Sequence, residues 1–175
     1  MAQAHYITPV APIARVTVAR LGAGTSLAQR MSDVDVGKIV KLVGESRYDL
    51  TAAGEVIEGF VVSTENATSG GYSVGSVVQE GKVFATADGL QATPGTGTIA
   101  VGDYVVTGTQ VAKGTATAEF ARVCKATAQP GAAPADLAAA GLAIKASLFA
   151  WRVVSLGTVG TGAVGTTIVI ERVSN

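Results

Sequence analysis

Apolar and polar residues alternate along most of this chain with a period of two, the signature of strands with one face buried. Ala14–Arg20 alternates in this way, and Gly22–Ser26 breaks it. Val36–Val43, Val56–Thr64, Gly75–Gln79, Lys82–Thr86, Asp103–Thr107, Thr117–Ala126, Ala146–Ser155 and Thr166–Val173 follow as further strand candidates, rich in β-branched residues. Between Gly75–Gln79 and Lys82–Thr86 lies Glu80-Gly81, a pair suited to a tight hairpin. Helical signals are sparse. Leu27–Met31 is long enough for one turn, and Pro134–Ala140, with proline near its start and Gly141 after its end, predicts one short helix. Residues 1–14 carry Pro9 and Pro12 among small and apolar residues and predict an extended arm.

The form V-G-x-x-V occurs at Val36–Val40, Val74–Val78 and Val101–Val105, and reads as one glycine turn-to-strand entry used each time. Its spacing is too irregular for a solenoid. Short strands punctuated by glycine and threonine predict a mainly β protein, an antiparallel β-barrel or β-sandwich. The expected organisation is an arm over 1–14 and a single β-rich domain over 15–175, interrupted by an Ala-rich excursion at 127–144.

Composition sharpens this picture. The 175 residues are 48% hydrophobic but only 5% aromatic, so the core is expected to be aliphatic. Charged residues are 15%, against about 25% in an average domain. Lys and Arg, 13 in all, balance 13 Asp and Glu. A neutral chain has no long-range field to attract nucleic acid or an anionic membrane, and no run of about 18 apolar residues predicts a membrane-spanning helix. The tyrosines Tyr6, Tyr48, Tyr72 and Tyr104 and the single Trp151 do not interleave with basic residues as a nucleic-acid stacking platform does. Low charge with high apolar content favours a surface covered by a partner or by further copies of the chain. The N-terminus has no basic segment followed by an apolar one, so no signal peptide is expected. The single Cys124, in an alternating run, reads as a small buried hydrophobe.

Patterns that spell chemistry lack its context. Gly71-Tyr-Ser73-Val-Gly75 matches the nucleophile elbow of hydrolases, but no helix follows, and the only histidine, His5, lies upstream in the arm. Gly160–Gly165 matches a dinucleotide-binding loop, but a strand-like run follows where a helix is required. Asn66-Ala-Thr68 is a glycosylation sequence that without a secretory signal marks only an exposed loop. One His and one Cys do not make a zinc site. Asp33 with Asp35 reads as a solvated turn, and Glu55 with Glu58 as surface carboxylates. No catalytic, cofactor-binding or metal-binding residues are therefore expected, and the chain reads as a non-enzyme.

The segments Val36–Leu42, Val56–Ser63, Gly70–Gly81 and Val101–Gly108 together resemble the capsid decoration (cement) proteins of tailed bacteriophages. The Ala-rich excursion has no place in that pattern. The resemblance implies a small β protein on the outer capsid surface of the virion, assembled in the host cytoplasm. It would bind the major capsid protein as a homotrimer and lock neighbouring subunits together, without cofactor, nucleic acid or membrane. In that setting Tyr6, Ile7, Pro9, Val10 and Ile13 are the expected capsid or inter-subunit contacts, because they are apolar in a segment without a core of its own. The alternative is another virion component: a head-fibre base, a tail component or a self-assembling shell subunit.

Overall fold

The computed structural model describes residues 16–24, 26, 29–65, 71–127 and 150–173. The arm, the expected helix over 134–140 and the contacts Tyr6, Ile7, Pro9, Val10 and Ile13 lie outside them, as do Asn66, Ala67 and Thr68. The described chain is mainly β, as its alternation predicts. Its one helical element is a 3-10 turn at Asp33–Asp35.

The first five strands are β1 (Val16–Leu21), β2 (Ile39–Gly44), β3 (Arg47–Leu50), β4 (Gly59–Glu65) and β5 (Ser73–Val78). They close into a barrel in the order β1-β3-β2-β4-β5, with β5 returning to β1. The remaining strands are β6 (Lys82–Leu90), the two-residue β7 (Thr93–Pro94), β8 (Tyr104–Thr107), β9 (Arg122–Lys125), β10 (Trp151–Ser155) and β11 (Thr167–Arg172). These form a second sheet, β11-β10-β8-β9-β6-β7, which also closes because β11 pairs with β6. Closure removes the free edges that an open sheet offers to other chains.

The two rings repeat one topology. In each, the first strand runs parallel to the third, β1 with β3 and β6 with β9, and every other ring pair is antiparallel. Register repeats as well. Arg20↔Arg47 corresponds to Thr86↔Arg122, Ile39↔Phe60 to Tyr104↔Arg152, and Val61↔Val77 to Val153↔Ile170. Even the irregularity recurs, between Val61 and Ser63 in β4 and between Val153 and Ser155 in β10.

The V-G-x-x-V motif marks this repeat at two of its sites. Gly37, at φ +89°, donates to the Val61 carbonyl while the Val61 N–H donates to Lys38. Gly102, at φ +94°, donates to Val153 while Val153 donates to Asp103. Both glycines sit in the left-handed region that a Cβ disfavours. The third site, Val74–Val78, is not a turn: it lies within β5, where Gly75 lets the backbone approach the Ser63 carbonyl too closely for any side chain. The expected hairpin at Glu80-Gly81 is also corrected. Gly81 does take positive φ, but β5 and β6 pair with other strands, and the turn joins the two rings.

Ala19, Leu21, Met31, Val40, Tyr48, Val61 and Val77 fill the first ring. The second is filled by Val83, Ala85, Ala87, Val105, Val123, Val153, Ile168 and Ile170. Ile39, Ile57, Phe60 and Val78 of the first ring belong to that second cluster, so the rings share one continuous apolar body. At its centre the Phe60 and Trp151 rings meet edge to face, 5.1 Å apart, a geometry worth about 1 kcal/mol beyond area burial. The register-equivalents of Ile39, Phe60 and Val78 in the second ring are Tyr104, Arg152 and Glu171, a polar row that does not extend the stacking.

Candidate functional site

The connection between the second and third strands of each ring differs sharply. In the first ring it is the two-residue turn Glu45-Ser46; in the second it is a strap over residues 108–121. The strap leaves β8, crosses to the first ring and returns to β9. Its anchor is a buried ion pair. Lys38 is 3% exposed and its ammonium donates to Asp35 Oδ1 at 2.6 Å and to the carbonyls of Ala112 and Thr115 at 2.8 and 2.9 Å. Asp35, wholly buried, also accepts from the backbone N–H groups of Gly114 and Ser32. All three ammonium donors are thus used. The reading of Asp35 as a solvated turn residue is corrected, while Asp33 is exposed and accepts from the Thr64 hydroxyl. Gln110 adds a second anchor: its amide accepts from the Ile39 N–H and donates to the carbonyls of Ile39 and Thr51, as a neighbouring strand would.

Between strap and turn lies a cleft of about 300 Å³, lined by Val36, Gly37, Lys38, Gln110, Phe120 and Arg122 among others. Its charged groups are committed: Lys38 to the pair above, and Arg122 to Asp88 and Glu119. The remaining tempting residues are committed as well. Ser73 is fully buried in β5 and its hydroxyl donates to the Met31 carbonyl at 2.7 Å, so it presents no nucleophile. Glu55 pairs with Lys41 and caps the Ala52 N–H. Burial raises its pKa, but these partners outweigh that and leave the carboxyl below its usual range. Glu58 accepts from the Leu42 N–H. Cys124 is buried, as expected, and its thiol is pushed up to about 11 by burial, with the Asp88 carboxylate adding to the shift. The Gly160–Gly165 loop is a backbone clasp, in which Gly162 accepts from the Ile99 N–H, and β11 follows it. Among the described residues no three His, Cys, Asp or Glu side chains are placed to hold a metal ion.

What stands out instead is the outer wall of the first ring. Val18, in the middle of β1, is 70% exposed, and Val62 is exposed nearby on β4, which β5 joins to β1. Arg20, next along the wall, lies over the Tyr72 ring at 4.6 Å. Arg47 pairs beside Arg20 across the parallel β1–β3 junction. Sequence reasoning found the strand but not its phase. Ala19 and Leu21 face the core, which turns Val18 outward.

The chain matches no family model, no curated protein and no solved structure.

Proposed function

We propose that this protein is a structural component of a tailed-phage virion. It binds the outer capsid surface and stabilises it by clamping neighbouring subunits of the major capsid protein. It acts as a homotrimer and performs no chemistry. The observation that carries this reading is a division of labour among side chains. The groups that catalysis would recruit (Asp35, Lys38, Ser73, Glu55, Glu58) are tied into hydrogen bonds that hold the fold. Apolar side chains, by contrast, stand on the outer wall, with Val18 foremost. A net charge of zero fits a surface that adheres by shape and apolar contact.

Residues Tyr6, Ile7, Pro9, Val10 and Ile13 of the arm supply further contacts by adding an extended segment to a neighbour. Both rings close, which leaves only short stretches of free strand edge for the arm of a second copy, and the edge it joins belongs to the capsid protein. Many weak copies acting together then give tight attachment. Deleting residues 2–13 is expected to leave the circular dichroism spectrum and melting temperature intact and to abolish binding to undecorated capsids. Full-strength binding by the truncated protein would sink the arm's role. Tubes or closed shells formed by the purified protein alone would favour a shell subunit instead.

A further inference from the structure

The repeated topology allows one ring to serve as a template for the other. Val18 on β1 corresponds to Phe84 on β6, since Val18 pairs with Ser76 as Phe84 pairs with Val169. Arg47 on β3 corresponds to Arg122 on β9. In the second ring this wall is roofed by the end of the strap. Phe120 stacks on Phe84 with ring centroids 5.5 Å apart. Glu119 accepts from Arg122 Nε at 2.9 Å, and Asp88 accepts from Arg122 Nη1 at 3.1 Å.

In the first ring every one of these partners is missing among the described residues. The connection there is only Glu45-Ser46, and Val18 is bare. The position one residue past Leu21, equivalent to Asp88, is Gly22. Arg47 keeps one long bond, from Nη1 to the Ala23 carbonyl at 3.4 Å. Its Nε is buried without a hydrogen-bond partner, and the same atom of Arg122 is the one bonded to Glu119. A buried donor of a charged group left unpaired is costly, and a charge-assisted bond to a carboxylate is its strongest satisfaction.

We propose that the wall of the first ring at Val18, Arg20 and Arg47 is the docking site for a segment of a partner protein that carries a carboxylate beside an aromatic residue, as Glu119-Phe120 does. The aromatic ring covers Val18, and the carboxylate pairs with the Arg47 guanidinium, whose side chain turns outward to bring its buried Nε to the new acceptor, and with the neighbouring Arg20. A second copy does not supply the segment through its own Glu119-Phe120, because that pair is already seated on its own second ring. This docking site rests on the repeat and not on the capsid reading.

The test uses the full-length, nitrogen-15-labelled chain titrated with a synthetic peptide of residues 115–121, Thr-Ala-Thr-Ala-Glu-Phe-Ala. Saturable amide shifts are expected at Val18, Arg20, Arg47 and Ser76, in the millimolar range because a free peptide loses its own freedom on docking. Peptides with Glu→Gln or Phe→Ala should bind about tenfold more weakly. The Val18→Asp protein, altered at an exposed position, should fold normally and lose the site. No saturable shift on this wall, or unchanged peptide affinity in Val18→Asp, would overturn the proposal. So would loss of concentration-dependent self-association in Val18→Asp without any peptide site, which would assign the wall to a second copy. No capsid enters the titration, so a failure to bind particles leaves its result standing.

Discussion

The residue that most constrains the molecule is Lys38. An ammonium removed from water is strongly disfavoured unless its donors are met, and here Asp35, Ala112 and Thr115 meet all three. Lys38→Met leaves the Asp35 carboxylate buried without its counter-charge, so a loss of about 3–5 kcal/mol is expected in denaturant unfolding. A loss of under about 1 kcal/mol would mean that the strap is held elsewhere. Cys124 makes a second residue-level prediction. With its thiol pushed up to about 11 by burial and then by Asp88, it carries almost no thiolate at neutral pH and should react with a disulfide reagent only after denaturation. Glu55 gives a pH dependence of definite sign. Its folded pKa lies below its unfolded one, so its contribution is present above the unfolded value and is lost as pH falls through the folded one. Glu55→Gln should therefore flatten part of the decline in unfolding midpoint on acidification from neutral pH.

At the scale of elements, the strands were largely legible and their partners were not. Alternating segments located β2, β4, β5, β6, β8, β9, β10 and β11, although Thr117–Ala126 overran β9 into the strap, because half-buried strands impose that period. β3 went unseen: Arg47-Tyr-Asp-Leu50 alternates, but it is only four residues long and has no β-branched side chain. The phase of β1 was hidden because Val18 faces outward where a polar residue is usual. The Lys38–Asp35 anchor was out of reach because the strap residues that complete it lie more than seventy positions along the chain. The glycine turns were readable at Gly37 and Gly102, since positive φ recruits glycine. They also separate two costs. A Cβ at Gly102 meets open space, so Gly102→Ala should cost only the backbone strain of about 1–2 kcal/mol. At Gly162 a Cβ would lie 1.8 Å from the Ile99 carbonyl oxygen, so Gly162→Ala should cost distinctly more in the same unfolding assay.

At the scale of the whole molecule, two rings of one topology are joined by Gln79-Glu80-Gly81, by the strap and by the shared cluster around Phe60 and Trp151. Such a body should unfold in one step, with Trp151 fluorescence and far-ultraviolet circular dichroism changing together, and Phe60→Ala should lower the midpoint of both by the same amount. The stacking ends after two rings because the row that is apolar in the first is Tyr104, Arg152 and Glu171 in the second. Among the described residues, Val18 on the outer wall of the first ring is the most exposed of the large apolar side chains. The measurement that bears most directly on the proposed capsid-binding role is co-sedimentation of the full chain with undecorated tailed-phage capsids at increasing salt. Saturable binding is expected that weakens by no more than about tenfold between about 50 and about 500 mM salt, because apolar contacts are not screened and the Arg20–Arg47 wall adds only a local charge contact. Absence of binding, or binding that disappears as salt rises, would contradict that role.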